Sequence, residues 1–194
     1  MSPITDLSAL NSGWGICGFS SSLGALYVND PAIKKTVDAA VKNGTLKYRM
    51  LAEIKTYLNL LRSKNRNDLL KEIEDFTRTF PDFGTFTINN YIATINEIAE
   101  KEPDVTNKKY SIAMPVNGLV EYLKIVGNKT NAKATLTSTS TKDNVILGLC
   151  DKTKTLKHWV YKKSKAEVYN WGEVKSLEVV LADCDLSILC EVSF

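Results

Sequence analysis

The spacing of apolar residues changes along this chain of 194 residues, from a helical period to a strand period. Up to about residue 126, apolar side chains recur every three or four positions, as Leu51, Ile54 and Leu58 do. Beyond Gly127 the period drops towards two and β-branched residues dominate. The pattern predicts a helical N-terminal part followed by an antiparallel sheet, which is an α+β fold.

The predicted elements follow from this change of period and from the turn residues between them. Helices are expected over Cys17–Tyr27, after Asp30-Pro31, and around Leu51–Leu61, Leu69–Phe80, Ile88–Ile98 and Val116–Val126. Strands are expected over Ala134–Thr139, Val145–Cys150, Lys157–Lys163, Glu167–Tyr169, Leu177–Ala182 and Leu186–Val192, with a hairpin turn at Asp183-Cys184-Asp185. The charged segment Lys101–Lys109, which contains Pro103, is interpreted as a crossing loop.

The length suits one compact domain over residues 1–194, built from a helical lobe (1–109) and a sheet lobe (110–194). The apolar and charged fractions, 44% and 24%, are typical of soluble globular proteins. The net charge of +3 is spread along the chain, so we expect no nucleic-acid partner. Neither an apolar run of membrane-spanning length nor the pattern of a signal peptide is visible in the sequence. We therefore expect a cytoplasmic protein, or an effector delivered without a classical signal; the oligomeric state stays open.

The four cysteines do not form a metal-binding pattern. No C-x-x-C pair is present, and the chain has a single histidine, so we expect no metal and no cofactor. Cys150, Cys184 and Cys190 lie in apolar runs and are interpreted as small buried residues.

Cys17 differs from the other three because glycines flank it at the expected start of an apolar helix. The run from Asn11 to Ser20 reads N-S-G-W-G-I-C-G-F-S, a loop that ends at the thiol. The partial positive charge of a helix N-terminus favours thiolate, so we predict a depressed pKa for Cys17 alone among the cysteines. A nucleophilic thiol also needs a base, and His158 is the only imidazole available. The alternative is that Cys17 is a packing residue and His158 an ordinary strand residue.

This order of residues resembles that of the papain-like cysteine peptidases, including staphopains and bacterial effector peptidases. The family motif Q-G-x-C-G-x-C-W-x-F-S is similar to the run that ends at Ser20, with Asn11 in the place of the oxyanion-hole glutamine. The family's later histidine and N-S-W-G motif are similar to His158 and to the Asn170-Trp171-Gly172 run. The chain departs from the pattern at Gly18, where the family has tryptophan. It also lacks the family's disulfide cysteine and the serine between asparagine and tryptophan.

The resemblance implies a papain-like fold and a catalytic set of Cys17, His158, Asn170 and Asn11. Cys17 would be the nucleophile, His158 the acid and base, Asn170 the residue that orients the imidazole, and Asn11 an oxyanion donor. Glu173 and Glu167 are alternatives to Asn170, and Asp151 is a weaker one.

The implied reaction is hydrolysis of a peptide, isopeptide or peptidoglycan-peptide amide bond through a thioacyl-enzyme, in a protein that acts as an effector or toxin. Two alternatives are a thiol acyltransferase or deamidase, and a non-enzymatic binding or immunity-type module on the same fold.

Overall fold

The computed structural model describes residues 2–98 and 107–194, and these form an α+β fold with one antiparallel sheet. The helices are α1 (Pro3–Trp14), α2 (Cys17–Asn29), α3 (Pro31–Lys42), α4 (Leu46–Ser63), α5 (Asn67–Arg78), α6 (Ile88–Asn96), α7 (Val116–Ile125) and α8 (Leu177–Cys184). The strands are β1 (Lys133–Leu136), β2 (Val145–Cys150), β3 (Leu156–Lys162), β4 (Val168–Asn170), β5 (Glu173–Lys175) and β6 (Ser187–Ser193). Most of the predicted crossing loop, residues 101–106, lies outside the described residues.

Helix α2 lies at the centre of the molecule. Every residue from Gly18 to Tyr27 is buried, because the helix carries apolar or small side chains on all sides. It contacts helices α1, α3, α4 and α7 and strands β2 and β3. The next helix begins as predicted: the Asp30 carboxylate accepts the N–H groups of Ala32 and Ile33, and Pro31 occupies the first turn.

The sheet has the strand order β1-β6-β2-β3-β4-β5, and all neighbouring strands are antiparallel. One face, which includes Trp159 and Tyr161, joins the core of the N-terminal helices. The other face, which includes Val160, packs against Leu177 and Val180 of α8. Strands β2 and β3 therefore lie between two apolar layers, which fixes β3 rigidly beside α2.

Two predictions about local structure are wrong, and one strand was not predicted. The segment Leu177–Ala182 is part of α8 and not a strand, because Ser176 caps it and the buried Leu177 and Val180 recur at helical spacing. The predicted hairpin turn at Asp183-Cys184-Asp185 is the end of this helix, where Asp185 takes a left-handed conformation (φ 50°). The short strand β5 was not predicted.

A further difference lies next to Cys17. Helix α1 continues to Trp14, so only Gly15 and Ile16 separate two helices where the sequence suggested a loop. Within residues 2–98 and 107–194, no helix has the length and apolar character needed to cross a bilayer.

Candidate active site

A two-residue turn between α1 and α2 presents Cys17 as the first residue of α2. Gly15 ends α1 in the left-handed region (φ 58°), and its N–H donates to the Asn11 carbonyl at 3.2 Å. A Cβ at this position would lie 3.0 Å from Ser111 Oγ, so both conformation and space favour glycine. The turn fixes the direction in which α2 and its first side chain emerge.

Gly18 allows α2 to approach the segment before α7 very closely. A Cβ here would lie 2.4 Å from Met114 Cβ, within the core. Met114 is itself held by β3, since the Trp159 indole N–H donates to its carbonyl at 2.8 Å. A larger side chain after Cys17 is therefore excluded, which gives a physical reason for the departure from the papain pattern at this position.

His158 lies on β3 and makes a 2.7 Å hydrogen bond from Nε2 to Asn170 Oδ1. Both side chains are buried. The Asn170 amide keeps its oxygen towards His158 because its Nδ2 donates to Cys184 Sγ at 3.7 Å. This arrangement assigns the proton of neutral His158 to Nε2 and leaves Nδ1 as the basic nitrogen.

Asn170 is placed by the tight hairpin between β4 and β5. It pairs with Glu173 across a two-residue turn in which Trp171 and Gly172 both have positive φ, 47° and 83°. The Gly172 N–H donates to Ser8 Oγ on α1 at 2.9 Å. A tryptophan in the left-handed region is uncommon, and the centre of its ring lies 5.0 Å from the centre of the His158 ring.

Of the candidates for the residue that orients the imidazole, Asn170 is the one in contact with His158. Glu173 is exposed and forms an ion pair with Lys175 at 2.6 Å. Glu167 pairs with Lys163 at 3.0 Å, and Asp151 belongs to the β2–β3 turn.

Cys17 and His158 line the same cleft, of about 200 Å³, together with Asn11 and Trp171. The cleft is also lined by Phe80 and Phe83 from the α5–α6 connection and by Ile112 from the segment before α7. These lining residues carry no local signal of a site, since Phe80 and Phe83 mark only the end of a predicted helix.

The Cys17 sulfur is surrounded by protein although its side chain is only half-buried. Burial raises its pKa to about 11, and the backbone N–H groups of Trp159, Gly18 and Cys17 itself lower it by less. The prediction of a depressed pKa is therefore wrong: the helix N-terminus acts in the expected direction, but desolvation is larger. Burial also lowers the pKa of His158, and the hydrogen bond to Asn170 offsets part of this shift. At neutral pH the site holds a neutral thiol and a neutral imidazole.

Asn11 lies in the cleft wall and is only 8% exposed. Its Oδ1 is buried and has no hydrogen-bond partner among the described residues. A buried amide oxygen without a hydrogen-bond partner lowers the stability of the fold. Rotation about χ2 exchanges the positions of this oxygen and the NH₂ donor. Asn11 can thus turn its amide to a group that enters the cleft.

The other cysteines lie away from the cleft. Cys150 and Cys190 are buried on β2 and β6, as expected, whereas Cys184 is half-buried on α8. Burial raises the pKa of Cys184 and raises that of Cys190 to about 11. In the described part of the chain, no three His, Cys, Asp or Glu side chains are grouped so that they could hold a metal ion.

Comparisons of the chain with family models, with curated proteins and with solved structures found no match.

Proposed function

We propose that this protein is a cysteine hydrolase that cleaves a peptide or related amide bond through a thioacyl-enzyme. The observation that supports this most strongly is the 2.7 Å bond from His158 Nε2 to Asn170, which leaves Nδ1 unprotonated on a residue that lines the same cleft as Cys17. The papain-like order of a cysteine at the start of a central helix, followed by a histidine and an asparagine on a sheet, supports the same reaction.

In the first half of the reaction, His158 Nδ1 takes the Cys17 proton while the sulfur attacks the substrate carbonyl carbon. The resulting oxyanion would accept the Cys17 backbone N–H and the Asn11 amide. When the tetrahedral intermediate collapses, the C–N bond breaks and the imidazolium gives its proton to the leaving amine. The acyl group remains on sulfur.

In the second half, His158 Nδ1 takes a proton from water, and the hydroxide attacks the thioester carbonyl. The C–S bond then breaks, the carboxylic acid leaves, and the proton returns to the sulfur. Asn170 keeps the imidazole in the Nε2–H form throughout, and Trp171 shields that hydrogen bond.

A trapped acyl-enzyme would test the proposal. The protein is mixed with activated peptide esters, quenched in acid and mapped by mass spectrometry. We expect an acyl adduct on Cys17 that water releases. Release mainly to an added amine would indicate the transferase alternative, and no adduct on Cys17 would contradict the proposal.

A second candidate is a non-enzymatic binding module, which is favoured by the burial that raises the pKa of Cys17 to about 11. In such a module Cys17 would be a packing residue, and Cys17→Ala would leave partner binding unchanged. The same acylation experiment separates the two, because a packing cysteine forms no acyl adduct.

The role of Asn170 in orienting the His158 imidazole is tested by comparing Asn170→Ala with Glu173→Gln. We expect Asn170→Ala to lower kcat about tenfold or more with little change in KM, because an aligned imidazole matters most in the transition state. Glu173→Gln, on an exposed side chain, should retain full turnover. Steady-state kinetics check both variants, and the reverse pattern would assign the role to the carboxylate.

The pH dependence of kcat/KM should follow from the pKa shifts that burial causes at His158 and Cys17. His158 acts as a base only when neutral, and its pKa lies below the ordinary value of 6.5, so kcat/KM should fall as the pH decreases through a midpoint below 6.5. The bond to Asn170 raises that pKa, so Asn170→Ala should move the acid limb to still lower pH. Cys17, with a pKa of about 11, should produce no limb between pH 7 and 9. A midpoint near 8 would contradict the neutral pair.

A further inference from the structure

Lys157 is the one Asp, Glu, Lys or Arg side chain that lines the cleft in the described part of the chain. It immediately precedes His158 on β3, and its Nζ lies 5.8 Å from the centre of the Phe80 ring, which also lines the cleft. The Lys157 ammonium and the Phe80 ring therefore lie beside each other in the cleft. Phe80 is fixed there by an edge contact with Phe76 at 5.4 Å.

The neighbouring carboxylate of Asp151 leaves part of the hydrogen-bonding capacity of the Lys157 ammonium unused. Asp151 is committed to its own turn, where its Oδ1 accepts the Thr153 N–H, the Thr153 hydroxyl and the Thr155 N–H. Its contact with Lys157 is a single one of 3.4 Å from Oδ2. Because an ammonium has three donors, others remain available to a ligand, and the side chain is 39% exposed.

We propose that the cleft selects a substrate that carries a carboxylate beside an apolar side chain, and that Lys157 determines this preference. The apolar group packs against Phe80 and Phe83, and the carboxylate pairs with the Lys157 ammonium. A single lysine with no arginine beside it suits one carboxylate better than a phosphate, which requires more donors. This inference depends on the proposed function, since it describes the substrate of the same site.

Peptide pairs test the preference directly. Fluorogenic peptides that differ only by Glu or Gln next to an apolar residue, on either side of the scissile bond, are compared by kcat/KM. In the wild-type protein we expect the Glu peptide to be favoured about five- to tenfold at one of these positions. The preference should disappear in Lys157→Gln, and Lys157→Glu should favour the matching Lys peptide.

A second measurement does not need turnover. Iodoacetate and iodoacetamide are nearly isosteric alkylating agents. In both reactions the sulfur forms a bond to the CH₂ carbon and iodide leaves. The rate with iodoacetate divided by the rate with iodoacetamide at Cys17, read by mass spectrometry, reports the electrostatic field in the cleft. This ratio can be measured even if both reactions are slow. We expect this ratio to fall several-fold in Lys157→Gln and further in Lys157→Glu.

Lys165→Gln is the matched control, because it removes the same charge from an exposed side chain that pairs with Glu178 outside the cleft. It should leave both ratios unchanged. If Lys157 variants change the alkylation ratio but no peptide is cleaved, the proposed hydrolysis fails and the electrostatic role stands. If neither ratio responds to Lys157, or if the control responds equally, the proposal for Lys157 is overturned.

Discussion

Cys17→Ala and His158→Ala are each expected to lower peptide hydrolysis by at least about a thousandfold. The thiol and the imidazole act as one unit, so losing either removes the nucleophilic route. The double variant should be no slower than the slower single variant, because residues that act together are strongly non-additive. Turnover of the best fluorogenic peptide measures all three.

Thermal melting separates a catalytic from a structural role for the same variants. Cys17→Ala should melt within a few degrees of the wild type, since the change removes only one sulfur atom at a cleft wall. His158→Ala leaves Asn170 Oδ1 without its donor, which costs about 1–3 kcal/mol. A much larger loss of stability in both would indicate that they are structural residues.

Phe19→Ala should have the largest effect on stability, lowering the free energy of unfolding by about 3–5 kcal/mol. Phe19 lies two residues after Cys17 on α2 and is fully buried. Its ring makes edge contacts with Tyr57 at 5.9 Å and Tyr122 at 5.4 Å. Truncation would leave a cavity where the central helix meets α4 and α7, and urea denaturation measures the loss.

Phe83→Ala is the matched control for this truncation. The Phe83 ring is half-buried and lines the cleft, so we expect a much smaller loss of stability together with an increase in KM. Equal destabilisation by the two changes would contradict the description of α2 as the buried central helix.

The helices and most strands could be predicted because their signals are local. The spacing of Leu51, Ile54 and Leu58 defines one face of α4, and Asp30-Pro31 starts α3. Helix α8 could not be predicted as easily, since Val179 and Val180 favour strands locally. Its helical form depends on the Ser176 cap and on packing against the sheet.

The proximity of the candidate residues could be predicted from the sequence, but the electrostatics of the cleft could not. The order of Cys17, His158 and Asn170 suggested one site, and the structure brings His158 and Asn170 into hydrogen-bond contact. The pKa of Cys17 depends on how much water the folded chain excludes, and nothing local in the sequence reports that. Lys157 and Phe80 are 77 positions apart and meet only through the tertiary fold.

The most direct test of the catalytic pair is the rate at which a peptide vinyl sulfone modifies each cysteine, measured residue by residue by mass spectrometry at pH 7. In the wild type, we expect one adduct, on Cys17, and none at comparable rate on Cys150, Cys184 or Cys190. In His158→Ala, the Cys17 rate should fall about a hundredfold or more, because the buried neutral thiol has lost its base. A Cys17 rate that is unchanged without His158, or faster modification of Cys184, would contradict the account.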